Sequence, residues 1–425
     1  MLPRNLGDSF DQWPTRQRLV GITACIVVFV FISKLVVDWF RDPLKHIPGP
    51  PSTRLSGWEV VLEGLKGRRI YKVEDYHKRY GPIVRIGPNE VSVAGWQHLR
   101  SIYTSSKIAV KDPSFYQAAS FIGKNNIFQM LNPAEHAARR RLSSPPYSLQ
   151  SVGRLDPLIR QCAKRMVQRF ITGASAAATH TVDVYKLCGL FSFEAICQAA
   201  FAKDFSQDAN SQAAVKLLEA MEGSALTLIF NNVFPWLKSY GLGLRLPGFV
   251  GDVYRKFDYW EQQSRLLVDH FLEKSASNDQ YLLSPLATGV DTFLGRRLNH
   301  DELVEEAMGY MFAGSGTTSS TLTYLLYAVS LPENAHIQER LREELKSSST
   351  QDTAVLRQLP YLNAVIKETM RLFPTIVSTI PRVLLEPLKI YTYILPKGTV
   401  IGMQNWVHHR DPTVFPQPEH FIPDR

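Results

Sequence analysis

A run of small and hydroxylated residues stands in the middle of the longest uncharged stretch of the chain. The run reads Ala313-Gly314-Ser315-Gly316-Thr317-Thr318, and no charged residue lies between Glu306 and Glu333. A glycine inside a helix costs roughly 1 kcal/mol relative to alanine, so two of them require a reason. Glycine lets a flat ligand approach the backbone, and a threonine hydroxyl can bond a carbonyl or a bound polar atom. Helix packing through small residues explains the run equally well.

Two further patterns combine charge with helical spacing. Asn132-Pro133-Ala134-Glu135 is typical of a helix start, and it places His136 and Arg140 four residues apart on one helix face. Glu368 and Arg371 lie one helical turn apart, where a surface ion pair is the simplest interpretation.

The elements that must position these residues are mostly helices. We expect helices at 70–80, over most of 132–274, and at 299–331, 332–346 and 360–373. A hairpin is expected around Gly87-Pro88-Asn89, and short strands are expected within 375–404. A second transmembrane helix is the alternative for the uncharged stretch, but its eight serines and threonines disfavour that interpretation. The fold class is therefore mainly α, a helical bundle around a long central helix with small β-sheets.

The amino-terminal region predicts a membrane anchor. The apolar stretch 19–40 would span roughly 33 Å as a helix, close to the thickness of a bilayer core of about 30 Å. Lys34 and Asp38 interrupt it four residues apart, where they could pair. A cleaved signal peptide is the alternative. The expected organisation is a tail at 1–18, the anchor at 19–40, a proline-rich hinge at 41–57 and a globular domain at 58–425.

Composition and charge exclude several protein classes. Of the 425 residues, 45% are hydrophobic and 20% are charged, which excludes a disordered chain. The net charge of +9 suits an acidic partner or an anionic membrane surface, and no basic run with interleaved aromatic residues indicates a nucleic-acid partner. The four cysteines show neither CxxC pairs nor zinc-ligand spacing, so neither a disulfide framework nor a zinc module is expected.

Several motifs in a fixed order resemble the cytochrome P-450 family of haem-thiolate monooxygenases. A Glu-x-x-Arg motif alone is a weak signal, but the ordered set together with the anchor is specific. The similarity extends from the proline hinge to the last residue, and the sequence around the long helix is most similar to fungal members. The motifs that follow the glycine–threonine run are Glu368-Thr369-Met370-Arg371, His409-Arg410-Asp411-Pro412, Phe415-Pro416, Pro418-Glu419 and Phe421-Ile422-Pro423-Asp424-Arg425.

The resemblance implies a role for residues of the glycine–threonine run. Thr317 is similar to the distal threonine beside the oxygen site, with Ala313 and Gly314 over the porphyrin face. Family members usually carry an acid immediately before that threonine, where this chain has Gly316. Water would then take the place of the acid in proton delivery.

The resemblance also implies contacts to the haem propionates from His136, Arg140 and Arg382. Arginine offers a bidentate fork to a carboxylate, although an ordinary strand-edge arginine is the alternative for Arg382. Arg139 and Arg141 are expected to point elsewhere and to contribute to a basic docking surface for an acidic reductase. A solvated helix face is the alternative for these arginines.

Glu368 and Arg371 resemble the family's buried structural pair, joined by Arg425 from the closing motif. Removing one member of such a network leaves a buried charge unpaired, which costs about 3–5 kcal/mol.

The implied reaction is the insertion of one oxygen atom from dioxygen into a lipophilic small molecule, with a fungal secondary metabolite as one candidate. Haem b is the expected cofactor, and NADPH acts indirectly through an NADPH-cytochrome reductase. The expected location is the endoplasmic reticulum membrane, with a single-pass anchor and a cytosolic globular domain. Substrate contacts are expected from the apolar lining formed by the loop 103–127, Tyr310, Phe312, Val377 and Thr379.

The family's axial cysteine follows the Phe-x-Pro-x-Arg motif, and the printed sequence ends with that motif at Arg425. The cysteines of this chain do not replace it by motif, so no metal ligand is assigned. The P-450 fold is therefore expected to be incomplete at its carboxyl end, with weak or no stable haem binding, as a fragment or truncated form of the enzyme. A catalytically inactive, membrane-anchored remnant of the fold is the alternative.

Overall fold

The computed structural model describes residues 15–425 except for 105–106, 178, 206–211, 275, 277, 349–351 and 378. The chain divides into two units. The first comprises Met1–Ala109 and Arg382–Gln404, and the second comprises Val110–Pro381 and Asn405–Arg425.

Short helices and strands build the first unit. Its helices are α1 (Thr15–Arg41), α2 (Trp58–Leu65), α3 (Arg69–Tyr80) and α4 (Leu99–Tyr103). Its strands are β1 (Ile83–Gly87), β2 (Glu90–Val93), β3 (Ala109–Lys111), β4 (Arg382–Leu384), β5 (Leu388–Ile390), β6 (Tyr393–Leu395) and β7 (Val400–Met403).

The strands of the first unit form a five-stranded sheet in the order β1-β2-β7-β4-β3 and a separate β5–β6 hairpin. β1 and β2 pair antiparallel, which confirms the hairpin predicted around Pro88. β2 then pairs parallel with β7, and β7 pairs antiparallel with β4. Most residues of β1, β2 and β7 are buried, and Ile83, Val91 and Ile401 belong to one apolar core.

The anchor predicted at 19–40 lies within the helix α1. Its described apolar side chains are largely exposed, and Phe29 is 71% exposed. Lys34 Nζ lies 2.6 Å from Asp38 Oδ2, as the four-residue spacing predicts. Among the described residues, one helix is long and apolar enough to cross a membrane, Val184–Phe201, and more than half of it is buried inside the protein. That burial is typical of a core helix.

The segment after α1 packs into the first unit. Leu44 is fully buried in the same core as the sheet. Asp42 accepts hydrogen bonds from Arg54 Nε at 3.0 Å and Arg85 at 2.5 Å. Burial alone would raise the pKa of Asp42, but these hydrogen bonds outweigh it and lower that pKa. The proline-rich segment 41–57, expected as a hinge, is therefore bonded to the folded body along its length.

The second unit is helical in its described part. Its helices are α5 (Pro113–Tyr116), α6 (Pro133–Ser143), α7 (Leu149–Arg154), α8 (Asp156–Ala176), α9 (Val184–Phe201), α10 (Gln212–Gly223), α11 (Leu226–Val233), α12 (Trp236–Ser239), α13 (Leu242–Arg245), α14 (Gly248–Lys274), α15 (Ser284–Thr288), α16 (His300–Ser330), α17 (Ala335–Ser347), α18 (Thr353–Leu356), α19 (Pro360–Leu372) and α20 (Asn405–His408). The mainly α prediction is confirmed.

The long central helix predicted at 299–331 is α16, and it runs without interruption. Its start is fixed by a capping box, in which Asn299 Oδ1 accepts the Glu302 N–H and the Glu302 carboxylate accepts the Asn299 N–H. The helices α9, α14 and α19 pack around it. The main core of the second unit lies between α9, α14 and α16, so α16 is buried over much of its length.

Candidate active site

One strip of α16 is exposed although much of the helix is buried. Ala313 and Thr317 lie one turn apart on this strip, and both are exposed. No heavy atom lies within 4 Å of the point where a Cβ would stand on Gly316. The strip is therefore flat, lined by small side chains and open on its outer side.

The neighbouring Gly314 packs against α9 and does not line the open strip. A Cβ on this residue would stand 2.6 Å from the Ile196 side chain of α9. Ser192 of α9 also donates its hydroxyl to the Ser315 carbonyl at 3.0 Å. The expectation that Gly314 lies with Ala313 on the open face is therefore corrected, because its missing side chain makes room for α9. Helix packing therefore explains Gly314, and the approach of a flat ligand at Gly316 stays a prediction.

The hydroxyl of Thr317 stands at the open strip. Its Oγ1 donates to the Ala313 carbonyl at 2.8 Å, and Thr321 Oγ1 donates to the Thr317 carbonyl at 2.9 Å. Because the Thr317 proton is used inside the helix, the lone pairs of Oγ1 remain to accept a hydrogen bond from water or from a bound molecule. With a glycine at 316, the preceding residue offers no side chain to pass a proton on.

The helix α6 carries two of the residues that the sequence assigned to propionate binding. Asn132 caps this helix, and its Oδ1 accepts the Ala134 N–H at 2.9 Å. His136 and Arg140 follow on one face of α6, where His136 is half-buried and Arg140 is exposed. The exposed guanidinium can receive a carboxylate in a bidentate manner.

Arg139, between these two residues, is not at a docking surface. It is 1% exposed, its Nε donates to Asp291 at 2.9 Å, and its guanidinium also bonds Glu306 of α16. The expected reductase-docking role of Arg139 is therefore wrong, because its charge is used inside the protein. Arg141 is exposed and remains available for such a surface.

The Glu368 carboxylate is the centre of a second buried network. Arg371 donates to it from Nε and a terminal nitrogen, each at 2.8 Å, and Arg425 donates from Nε at 2.9 Å. The Ile422 N–H adds a fourth bond at 2.8 Å. Burial alone would raise the pKa of Glu368, but these hydrogen bonds outweigh it and lower that pKa.

Arg371 extends this network into the carboxyl-terminal segment of the chain. Its guanidinium donates to three backbone carbonyls, at 2.9, 2.8 and 3.0 Å, from His409, Pro418 and His420. One helix residue therefore fixes the path of an irregular segment that lacks regular backbone pairing of its own.

Arg382 begins the strand β4 in the first unit. Its guanidinium carbon lies 5.3 Å from the centroid of the Tyr103 ring, and the residue is half-buried. The proposed contact of Arg382 with a propionate stays a prediction.

The residues expected to line a substrate pocket differ in their surroundings. Phe312 is 37% exposed, and its ring centroid lies 5.7 Å from that of Phe121 and 6.3 Å from that of Trp260. Tyr310 is half-buried, and the surrounding protein raises its pKa well above the usual value, with the neighbouring Tyr147 hydroxyl contributing in the same direction. Phe312 is therefore the more accessible of the two aromatic candidates on α16.

The other candidates lie after α19. Val377 is half-buried and Thr379 is 5% exposed, so Thr379 offers little surface to a ligand. Their assignment to the substrate lining stays a prediction.

Comparison with known proteins identifies the family. A sequence model described as Cytochrome P450 matches residues 48–425. This chain belongs to the cytochrome P450 family. Among curated P450s, the chain is 26% identical to Cytochrome P450 monooxygenase orf2 of Aspergillus niger, covering 95% of this chain and 81% of that protein. It is 28% identical to Cytochrome P450 monooxygenase aflV of Aspergillus parasiticus, covering 99% and 82%.

The fold of this P450 is also found among solved structures. Retinoic acid bound cyanobacterial CYP120A1 superposes with a TM-score of 0.66 at 20% identity, over 83% of this chain and 76% of that chain. The predicted P-450 fold and the predicted haem-dependent monooxygenase class are both confirmed.

The described residues of this P450 fit one side of a haem. The open strip of Ala313, Gly316 and Thr317 accepts a flat group, and His136 with Arg140 offers donors for its carboxylates. Such a group, when bound, supplies the activation of dioxygen. The protein's own contribution is to keep this face clear and to place a hydroxyl beside it.

The three cysteines of the second unit do not suit the role of the axial sulfur. Cys162, Cys188 and Cys197 are buried within α8 and α9. Burial raises the pKa of each thiol, which disfavours the thiolate that binds a metal. The described residues contain no group of three or more His, Cys, Asp or Glu side chains that could hold a metal ion.

Two acids of this P450 escaped the sequence analysis. Glu305 and Glu306 are 0% and 2% exposed near the start of α16. The sequence contains one indication that these acids are unusual, since they are adjacent and directly precede the long uncharged stretch. Acids on a helix this apolar are rarely fully buried unless they have partners.

Proposed function

We propose that this P450 inserts one atom of dioxygen into a lipophilic small molecule, with electrons that a membrane-bound reductase takes from NADPH. The observation that carries the proposal is the open strip of α16 with the Thr317 hydroxyl, on a helix that also carries Phe312, an aromatic side chain that is more than a third exposed. An apolar surface with a few polar groups suits a lipophilic ligand. The relatives from Aspergillus species, named as cytochrome P450 monooxygenases, support the reaction class, and a fungal secondary metabolite is the substrate class that we propose.

The roles of the site residues follow from this proposal. Ala313 and Gly316 keep the face clear, and Thr317 passes a proton through Oγ1. A water molecule in the space beside Gly316 takes the place of an acidic side chain as the proton donor to Thr317. His136 and Arg140 of α6 bind the propionates of haem b.

The membrane location is part of the same proposal. The helix α1 anchors the protein in the endoplasmic reticulum, and the globular part lies in the cytosol, where it meets the reductase. The exposed apolar side chains of α1 support this location, as does a net charge of +9, which favours an anionic membrane surface and an acidic partner.

A carbon monoxide spectrum of the natural protein tests the proposal. The protein purified from its source, reduced in the presence of carbon monoxide, is expected to show the Soret band of a thiolate-bound haem. With reductase, NADPH and ¹⁸O₂, a lipophilic substrate is expected to gain one labelled oxygen atom. A natural protein without the thiolate band would overturn the proposal and favour an inactive remnant of the fold.

Variants of the threonine sharpen the test of its role. Thr317→Ala is expected to lower the yield of oxygenated product per NADPH consumed by about 10-fold to 100-fold, because positioned proton transfer contributes at least this much. Thr317→Ser restores the hydroxyl and is expected to recover most of the yield. Equal yields from the alanine and serine variants would remove Thr317 from the proposed mechanism.

A further inference from the structure

The start of α16 holds a buried carboxylate that the proposed reaction does not use. Glu305 is fully buried, and its two oxygens accept four hydrogen bonds, all from one loop. The donors are the N–H groups of Phe121 at 2.8 Å, Ile122 at 2.7 Å and Lys124 at 3.4 Å, and the side-chain amide of Asn126 at 2.7 Å.

Two other groups hold the same loop. The adjacent Glu306 accepts the Ile127 N–H at 3.1 Å. From α12, Lys238 Nζ donates to the Phe121 carbonyl. The loop 121–127 therefore has its N–H groups bonded to α16 and a carbonyl bonded to α12.

This bonding fixes the place of an aromatic side chain. The Phe121 ring packs edge-on against Trp260 at 5.2 Å between centroids, and it packs against Phe312 at 5.7 Å. The rings of Trp260 and Phe312 are nearly parallel at 6.3 Å. These three rings form what we call the aromatic wall, and Phe312 is its exposed member.

We propose that Glu305 is a positioning residue for substrate recognition. It binds no substrate itself; it holds the loop 121–127 so that the buried Phe121 ring supports Phe312, the exposed member of the aromatic wall, which receives an apolar ring of the substrate. Aromatic side chains favour offset and edge-on contacts with other rings, and this preference defines the ring-bearing substrate class. The substrate part of the inference rests on the proposed function, whereas the hold on the loop does not.

Hydrogen exchange in the full 425-residue chain measures the hold on the loop. Glu305→Gln keeps the shape of the side chain but replaces one acceptor oxygen by a donor. We expect the amides of Phe121, Ile122 and Lys124 to exchange about 10-fold to 100-fold faster, as the loss of bonds to a charged acceptor predicts. Peptides from α9 are expected to be unchanged. Glu333→Gln, which removes an exposed charge near the other end of α16, is the matched control and is expected to change nothing.

A second variant removes the contact between the loop and α12. Lys238→Met deletes the bond to the Phe121 carbonyl without changing a residue of α16, and we expect severalfold faster exchange in the peptide that contains Phe121. This variant decides the result if Glu305→Gln raises exchange throughout the protein by unfolding it. Unchanged loop exchange in Glu305→Gln, or in Lys238→Met when the first variant unfolds, overturns the proposal.

The neutral fluorescent probe 1-aminoanthracene tests the link to the aromatic wall. Its affinity is expected to fall at least 5-fold in Glu305→Gln and to stay unchanged in Glu333→Gln. Faster loop exchange with unchanged probe affinity would overturn the recognition role. Failure of the proposed monooxygenase reaction would leave the exchange result unaffected, so the two failures can be told apart.

Discussion

Two buried carboxylates of the second unit accept similar numbers of hydrogen bonds, but their pKa values shift in opposite directions. Glu368 is bonded by the guanidinium groups of Arg371 and Arg425, and its pKa is lowered. Glu305 is bonded only by neutral N–H groups among the contacts described, and burial outweighs them and raises its pKa. The difference lies in the charge of the partners, because a guanidinium stabilises the ionised carboxylate more than an amide does.

The two regions use these carboxylates for different purposes. The Glu368 network joins α19 to the last residues of the chain through charged bonds. The Glu305 contacts hold a short loop against α16 with bonds that are individually weaker. We therefore expect the first region to contribute more to global stability and the second to control a local structure.

The largest effect is expected from breaking the Glu368 network. Arg371→Met removes two bonds to the carboxylate and three to backbone carbonyls, and the free energy of unfolding is expected to fall by about 3–5 kcal/mol. Urea unfolding measures it. Arg342→Met, which breaks an exposed pair with Glu339, is the matched control, with an expected change of about 0–1 kcal/mol. Similar losses in both variants would contradict the comparison.

The amino-terminal end of α16 also meets a buried guanidinium, that of Arg139 on α6, and this contact extends the comparison. Arg139→Met leaves the buried Asp291 and Glu306 without their shared partner, and a loss of about 3 kcal/mol in unfolding free energy is expected. The adjacent Arg141→Met removes an exposed charge and should change stability by less than about 0.5 kcal/mol. If Arg141→Met proved the more harmful, the assignment of Arg139 to the interior would fail.

A smaller effect separates the two faces of α16. Gly314→Ala would push a methyl group against Ile196 of α9, at an expected cost of about 1–3 kcal/mol. Gly316→Ala meets open space and should instead gain about 0.5–1 kcal/mol from helix propensity. Thermal unfolding of the two variants compares them directly, and equal stabilities would mean that α9 does not pack closely at Gly314.

The smallest effect concerns pH and tests the opposite pKa directions. The raised pKa of Glu305 gives a stability contribution that is fully present below about pH 4.5 and is lost as the pH rises through the raised value. The lowered pKa of Glu368 gives a contribution that is present above pH 4.5 and is lost as the pH falls through the lowered value. Urea unfolding from about pH 3 to 7 should therefore show that Glu305→Gln becomes less destabilising, relative to wild type, as the pH rises above 4.5, and that Glu368→Gln becomes less destabilising as the pH falls below 4.5. If the loss of unfolding free energy changed with pH in the same direction in both variants, the opposite pKa shifts would be contradicted.

Local patterns made part of the fold predictable from sequence. The Asn132 cap, the hairpin at Pro88 and the long helix beginning after Asn299 depend on residues that are close along the chain. The joining of Glu368, Arg371 and Arg425 came from the order of family motifs, because residue spacing alone favours a surface pair.

Long-range contacts explain what sequence reasoning missed. Arg139 meets Asp291 and Glu306 across separations of 152 and 167 residues, and a run of three arginines gives no indication of such partners. Glu305 meets Phe121 across 184 residues. Gly314 faces α9 because α9 packs against α16 at this point, and no local sequence pattern indicates where α9 lies.

The unbroken course of α16 has a consequence for where a substrate would react. Phe312 and Thr317 are five residues apart on one helix, about 7.5 Å along its axis. If the loop at Phe121 opens and closes, this spacing does not change, because both side chains belong to the same rigid rod. Under the proposed function, a substrate ring on Phe312 would therefore lie at a fixed distance from the Thr317 hydroxyl, and lengthening the substrate is expected to move the oxidised atom along its skeleton.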